Sequence, residues 1–215
     1  MAERDLTKLD GVTQVMHIIA DNTLVSEFDR LNIWKYWRAR EWAKLLQSQP
    51  QFADKCDEYK HNGWERFKSE WIEILSAQPQ LADKCDEYNG WEKFKSSDWI
   101  HLLNAQPQFA DKCTEYNGWN EFKAWSWYVL LISQPQFADK CDKWDEIGSG
   151  EWIDLLFEQP QFADKCDKWD EFESGDWRYL LFKHPQLADK CPMWNKTDSE
   201  NWCELIRKLK GNEEK

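Results

Sequence analysis

Cysteine is the residue type whose spacing in this chain first suggests chemistry. Six of the seven cysteines recur at intervals of 25 to 29 residues: Cys56, Cys85, Cys113, Cys141, Cys166 and Cys191. No Cys-x-x-Cys pair occurs, although that spacing is common in zinc and redox sites. The period instead favours a small buried apolar residue in a repeated structure. We therefore predict free thiols without metal, since nothing indicates the oxidising compartment in which disulfides form.

The histidines and carboxylates give no catalytic or metal-binding pattern. His17, His61, His101 and His184 fall at unrelated positions, and none has a second ligand at a metal-binding spacing. His184 replaces a recurring glutamine, which favours a local polar substitution. The recurring Ala-Asp-Lys triplet places each carboxylate beside a lysine, as in a solvated row of charges. No nucleophile, base and orienting group can be assembled from these spacings, so we predict no catalytic residue, no cofactor and no enzymatic activity.

The aromatic residues have the spacing of a helical core. Trp99, Leu102 and Leu103 stand at i, i+3 and i+4, on one face of a helix that we call helix A. Ser96 is the predicted N-terminal cap, and Pro107 ends the helix because it lacks an amide proton. The combination with leucine favours core packing over a cage for a sugar or choline ligand.

A second short helix, helix B, is predicted to start at the proline. Proline is tolerated in the first turn, and the residues that follow have helical spacing: Phe109, Ala110, Cys113 and Tyr116. A Trp-x-x-Phe turn then leads to the next repeat. Helices this short are marginal alone, so packing between repeats must stabilise them.

This unit is repeated in tandem along most of the chain. Its helix-A tryptophans are Trp42, Trp71, Trp99, Trp127, Trp152 and Trp177, which gives periods of 29, 28, 28, 25 and 25 residues. The early units carry an additional Asn-Gly turn signal. Because a unit this short cannot bury its apolar face alone, the pattern predicts an all-α, solenoid-like array of helix-turn-helix repeats of about 25–29 residues.

The ends of the chain resemble degenerate copies of the repeat unit. Residues 1–41 are predicted to form a degenerate capping repeat, in which Val15, Ile18 and Ile19 take the Trp, Leu and Leu positions and Thr23 replaces proline. Six tandem repeats follow over residues 42–198, and residues 199–215 are predicted to be a C-terminal capping helix and tail. No Gly/Ser-rich linker interrupts the array, so we predict one continuous domain.

Charge and composition exclude several classes of partner. The chain contains 28 basic and 40 acidic residues, a formal net charge of −12, which disfavours direct binding to nucleic acid or to acidic membranes. It has no run of 18 apolar residues and no signal-peptide pattern at the N-terminus. We predict a cytoplasmic protein without membrane contact.

The recurring Gln-Pro-Gln-Phe-Ala-Asp-Lys-Cys string after a Trp-x-x-Leu-Leu helix resembles the short Trp-rich tandem repeats of uncharacterised bacterial and phage-associated proteins. The resemblance covers roughly residues 42–206. It implies a short-helix repeat architecture and a prokaryotic or phage origin, and it implies no activity. The 28-residue units with Asn-Gly-Trp insertions are longer than the units of that group.

One position of helix A changes character along the array. Five residues after the tryptophan, the chain has Gln47, Ser76 and Asn104, and then Ile132, Phe157 and Phe182. The candidate partner-binding stripe consists of Tyr128, Val129, Ile132, Phe157, Tyr179 and Phe182. An exposed apolar stripe with a charged rim indicates a partner. The other interpretation, that the shorter C-terminal repeats bury this face against the Trp-x-x-Phe turn, is equally compatible with the sequence.

These observations predict a non-catalytic repeat scaffold or inhibitor that binds another protein or associates with itself. The alternative is an acidic mimic of nucleic acid that blocks a nucleic-acid-binding protein, since the net charge is strongly negative. Binding of that kind is expected to collapse with added salt.

Overall fold

A computed structural model describes residues 6–192, and this part of the chain is built of α-helices and 3-10 helices without a β-strand. The predicted all-α array of short repeats is thereby confirmed. The chain divides into two compact units, unit 1 ending at Glu121 and unit 2 beginning at Phe122. The single continuous domain stays a prediction, and the predicted C-terminal cap, 199–215, lies outside the described residues.

The α-helices are short and follow one another in a regular order. Their bounds are α1 Gly11–Ala20, α2 Val25–Leu31, α3 Ala39–Ser48, α4 Ala53–Glu58, α5 Glu70–Ala77, α6 Ala82–Glu87, α7 Ser96–Ala105, α8 Ala110–Glu115, α9 Ala124–Ser133, α10 Ser149–Glu158 and α11 Ser174–Lys183. Helix A of successive repeats is α1, α3, α5, α7, α9, α10 and α11. Within each unit, consecutive copies of helix A contact each other.

Helix A buries the predicted face, but its first residue differs from the prediction. Trp99, Leu102 and Leu103 are all buried in α7. The expectation that Ser96 caps this helix is wrong, because Ser96 is its first residue. The Asp98 carboxylate instead accepts a hydrogen bond from the Lys95 N–H at 2.9 Å. A carboxylate in this position satisfies a free amide of the first turn and interacts favourably with the helix dipole.

Helix B is a mixed element rather than the plain α-helix expected from the spacing. In the early repeats a 3-10 turn such as Pro107–Phe109 precedes a short α-helix such as α8. In the last three repeats the whole segment is 3-10, at Pro135–Lys140, Pro160–Lys165 and Pro185–Lys190. These repeats are three residues shorter than the 28-residue ones, and the chain is extended at the cysteine that follows each of these segments.

The Asn-Gly pair forms a turn, as predicted, and its glycine is buried at Gly90. Asn89 adopts the left-handed conformation with φ of 50°, as Asn117 does with φ of 55°. Gly90 is buried, and a Cβ atom there would lie 2.4 Å from the Cys85 sulfur and 2.7 Å from Nε1 of Trp71. The asparagine supplies the unusual backbone angle, and the glycine permits close approach of the backbone to the core.

Aromatic rings fill the core of each repeat. The ring of Trp91, from the Trp-x-x-Phe turn, stacks on Trp99 with centroids 5.7 Å apart and planes 7° apart, and Phe94 meets Trp99 edge-on at 5.1 Å. The same stack occurs between Trp64 and Trp71 at 5.3 Å. Burial of each ring contributes about 2 to 3 kcal/mol, which is what helices of this length require from packing.

The Gln-Pro-Gln motif links neighbouring repeats, a role that the sequence analysis did not assign. The side chain of the first glutamine donates to a carbonyl of the preceding helix A: Gln78 to Gln47 at 2.6 Å, Gln106 to Ser76 at 2.7 Å, and Gln159 to Ile132 at 2.6 Å. The second glutamine orients the first, as Gln108 Nε2 donates to Gln106 Oε1 at 2.7 Å. The last carbonyls of a helix have no partner within the helix, so this contact satisfies one of them.

His184 takes the place of that glutamine in the last described repeat. Its Nε2 lies 2.7 Å from the carbonyl oxygen of Phe157. A histidine ring that is protonated at Nε2 donates the same hydrogen bond as the glutamine amide. This contact supports the interpretation of His184 as a local polar substitution.

The first repeat has the element order of the others despite its divergent sequence. Helix α1, a 3-10 turn at Asn22–Leu24, α2 and a 3-10 turn at Ile33–Tyr36 follow in turn. Val15 and Ile18 are buried and Ile19 is half-buried, as their template positions predict.

Candidate functional site

Within each unit, neighbouring helices A lie side by side in a constant register, and this register defines the candidate surface. The position five residues after the tryptophan of one repeat faces the position two residues after the tryptophan of the next. In unit 1 these are polar, and Gln47 Nε2 donates to Glu73 Oε2 at 2.9 Å. In unit 2 the position pairs are Ile132 with Asp154 and Phe157 with Tyr179, and only the second pair is aromatic, with ring centroids 4.0 Å apart and planes 7° apart. The register is therefore the same in both units, but its chemistry differs.

Phe157 has contacts on both faces of its ring. Tyr179 covers one face, and the Lys183 ammonium lies 3.9 Å from the ring centroid, within the range of a cation–π interaction. Lys183 also reaches a carboxylate oxygen of Glu158 at 3.3 Å. The Phe157 side chain is half-buried, so it belongs partly to the packing between α10 and α11 and partly to the surface.

The other candidate residues lie on the outer side of the same helices. Tyr179 and Phe182 are 47% and 69% exposed, while Val129 and Ile132 are half-buried. None of these four side chains is in the buried core. The predicted stripe is thus exposed at Tyr179 and Phe182 of α11 and half-buried at Val129 and Ile132 of α9.

Tyr128 is held by a contact with the next helix. Its hydroxyl donates to Asp154 Oδ2 at 3.3 Å. Partial burial, followed by the nearby Asp154 charge, raises the pKa of Tyr128 above its ordinary value. The hydroxyl therefore stays protonated at neutral pH, which gives it no role as a base.

Trp125 belongs to this surface and was missed by the sequence analysis. It is 61% exposed in the first turn of α9, two residues before the helix-A tryptophan. Trp125, Val129 and Ile132 stand at i, i+4 and i+7, which places them on one face of α9. The signal was present in the sequence, because other repeats have arginine, serine or glycine there: Arg40, Ser69, Ser97, Gly150 and Gly175.

We call the combined surface the aromatic face of unit 2. It consists of Trp125, Val129, Ile132, Phe157, Tyr179 and Phe182. The glycines of α10 and α11 continue the line from Trp125, and a Cβ atom at Gly150 or Gly175 would have no neighbour within 4 Å. The space outside the backbone at these two glycines is therefore open.

The described cysteines are buried, and their thiols are poorly reactive. The six cysteines within the described residues are buried free thiols. Burial raises the pKa of Cys56, Cys85 and Cys113 far above its ordinary value, and raises the pKa of Cys141 and Cys166 to about 11. Since the thiolate is the reactive form, these groups are poor nucleophiles at neutral pH.

The polar residues of the described part do not assemble a metal centre. No group of three or more His, Cys, Asp and Glu side chains in residues 6–192 has the geometry to hold a metal ion. His61 is exposed and its Nδ1 lies 2.7 Å from Glu65 Oε2. The recurring Ala-Asp-Lys carboxylates are exposed, and their lysines pair with neighbouring acids, as Lys190 does with Asp164 at 3.1 Å. This arrangement fits the predicted solvated charge row.

Comparisons with protein-family models, with curated proteins and with solved structures give no match for this chain. The resemblance to Trp-rich tandem repeats stays a prediction. Within residues 6–192, no helix has the length and apolar character needed to cross a lipid bilayer.

Proposed function

We propose that this protein is a non-catalytic repeat scaffold or inhibitor that binds another protein through the aromatic face of unit 2. The observation that carries the proposal is the presence of Trp125, Tyr179 and Phe182 on the outer side of helix A, each between 47% and 69% exposed. Exposed tryptophan and tyrosine are enriched at the energetic centres of protein interfaces.

The contrast between the units supports this assignment. The matching positions of unit 1 carry Gln47 and Glu73, which form a polar contact of the same register. The fold thus needs no aromatic residue there. A switch to large apolar side chains lowers solubility without a matching gain in folding, and a partner surface accounts for it.

The acidic-mimic alternative has weaker support. Its basis is the net charge of −12. Many carboxylates are interleaved with lysines, and Lys84, for example, pairs with both Asp57 at 2.7 Å and Glu87 at 3.1 Å. Such pairing breaks up the row of uncompensated charge that imitation of a phosphate backbone requires. We also propose a reducing location such as the cytoplasm, because the buried cysteines are free thiols.

The test is a comparative capture experiment in cells of the source organism. The tagged protein is compared with a Tyr179→Ser, Phe182→Ser variant and with a matched Met16→Ser, Tyr36→Ser control, which removes exposed apolar side chains from unit 1. We expect a discrete set of proteins to be retained by the wild type and the control and to be lost from the unit 2 variant. Sedimentation velocity on the same three proteins tests self-association.

Two outcomes would contradict the proposal. Equal retention by all three proteins would remove the aromatic face from the interaction. A complex that dissociates on a moderate increase in salt, with no dependence on the aromatic residues, would favour the acidic mimic, because only charge-driven binding is so sensitive to ionic strength.

A further inference from the structure

A cleft of about 390 Å³ in unit 1 is lined by two arginines. Its lining residues are Arg38, Ala39, Asn62 and Arg66. Arg38 and Ala39 stand at the start of α3, and Asn62 and Arg66 lie in the segment between α4 and α5. Consecutive repeats therefore bring two cations to one concave site.

Hydrogen bonds anchor the side of the cleft that carries Asn62 and Arg66. The Asn62 side-chain amide donates to the Lys35 carbonyl at 3.0 Å. Arg66 donates through Nε to the His61 carbonyl at 3.2 Å, which fixes its side chain and leaves the terminal NH₂ groups for a ligand. The site is thus partly preorganised.

Within the part of the chain that the structure describes, the two arginines of the cleft have no acidic partner, in contrast to lysines such as Lys55 and Lys112. Lys84, for example, contacts both Asp57 and Glu87. Within residues 6–192, neither Arg38 nor Arg66 forms an ion pair with a carboxylate.

The nearest carboxylates along the chain are engaged elsewhere. Glu41 accepts a hydrogen bond from the backbone N–H of Arg38 at 3.0 Å, as a helix cap. Glu65 lies 2.7 Å from the His61 ring. Each of these acids thus has a contact other than the guanidinium beside it in sequence, and the guanidinium groups keep their capacity for an external anion.

We propose that this cleft binds the phosphate group of a small phosphorylated molecule. A guanidinium presents two parallel N–H donors that match two oxygens of a phosphate or a carboxylate. One carboxylate matches a single arginine, whereas a phosphate monoester carries about −1.5 to −2 charges and three terminal oxygens, and it can engage both. The volume lies within the range of small-molecule sites, roughly 300–1,000 Å³.

The net negative charge of the chain does not oppose a ligand of this size. At physiological ionic strength, charges further away than about 8 Å are largely screened. A small dianion in the cleft interacts mainly with the two arginines, whereas an extended nucleic acid would also meet the acidic surface around it. The chemistry therefore favours a small phosphate ester over a polyanion.

The test is isothermal titration calorimetry of the full chain with inorganic phosphate, phenyl phosphate and acetate at constant ionic strength. We expect both phosphates to bind in a one-to-one ratio and acetate to bind at least about tenfold more weakly, as the loss of a charge-assisted contact implies. Equal binding of acetate would assign the site to carboxylates and overturn the proposal. Absence of binding by both phosphates would also overturn it.

Three variants identify the residues. Arg38→Gln and Arg66→Gln keep the side-chain stem and remove the charge, and each is expected to weaken phosphate binding about tenfold or more. Arg40→Gln is the matched control, because Arg40 is exposed nearby but does not line the cleft. If Arg40→Gln weakens binding as much as the other two, the attraction is a general charge effect and the proposal is wrong. Circular dichroism confirms that each variant is folded. The aromatic face lies in the other unit, so failure of this proposal and failure of the proposed function can be distinguished.

Discussion

The link between repeats through Gln106 gives a sharp test of how the array is stabilised. Replacement of Gln106 by methionine keeps the length of the side chain and removes its donor. The lost hydrogen bond runs from Gln106 Nε2 to the Ser76 carbonyl at 2.7 Å, in a partly buried position. The Ser76 carbonyl lies in the last turn of α5, where the helix itself offers no partner.

The expected loss of stability follows from the Ser76 carbonyl, which is left without its hydrogen-bond donor. A carbonyl that loses its only donor in a partly buried position costs about 1–3 kcal/mol, more than the net value of an average hydrogen bond. Gln108→Met is the matched control, because Gln108 is exposed and its amide only orients Gln106. Surface changes of this kind usually stay within about 0.5 kcal/mol.

The assay is urea denaturation of both variants, followed by tryptophan fluorescence and circular dichroism. We expect a lower free energy of unfolding for Gln106→Met, with a melting temperature lower by roughly 2–4 °C per kcal/mol. Equal stability of the two variants would refute the idea that the first glutamine of each motif stabilises the stack.

Three further perturbations follow from the packing. Gly90→Ala is expected to destabilise the protein by about 1–3 kcal/mol, because its Cβ would overlap the core. Gly150→Ala has open space around it and is expected to stabilise the protein by about 0.4–1 kcal/mol. Thermal melts compare the two variants, and equal effects would contradict the assigned packing around the two glycines. A double-mutant cycle with alanine at Phe157 and Tyr179 is expected to give a coupling of about 0.5–1.5 kcal/mol, and additive effects would show that the stack contributes nothing. Burial raises the pKa of Cys166 from about 9 to about 11 in the folded state, so its stabilising effect is complete below pH 9 and is lost as pH rises toward 11. Between pH 9 and 10 the wild type should therefore lose about 1 kcal/mol more than Cys166→Ala in urea unfolding, and an equal loss would contradict the assigned burial.

Much of the repeat could be predicted from the sequence because one spacing determines its core. A tryptophan and two leucines at i, i+3 and i+4 specify the buried face of helix A, and the proline specifies its end. The conformation of helix B was less accessible. The same Pro-Gln-Phe-Ala-Asp-Lys string is partly α-helical before Cys113 and wholly 3-10 before Cys141. The difference comes from the number of residues between the cysteine and the next repeat, which the propensity of the local string does not reflect.

The candidate surface could be predicted only in part. The change of residue type at Ile132, Phe157 and Phe182 identified the helix face. Whether that face is buried depends on how neighbouring helices A are placed, and a single sequence does not specify this placement. Trp125 was not part of the predicted stripe, because every residue of that stripe follows the helix-A tryptophan, whereas Trp125 precedes it by two residues. The cleft between Arg38 and Arg66 has no local sequence signal, since two consecutive repeats form it.

The most direct test of the proposed function is a paired measurement on Trp125→Ser. Trp125 is 61% exposed, so its loss is expected to change the free energy of unfolding by no more than about 0.5 kcal/mol. The same variant is expected to lose the proteins that the wild type retains in the capture experiment, because a tryptophan at the centre of an interface often contributes about 2 kcal/mol or more to binding. Retention of those proteins at the wild-type level, or a stability loss of several kcal/mol, would contradict the assignment of this face to a protein partner.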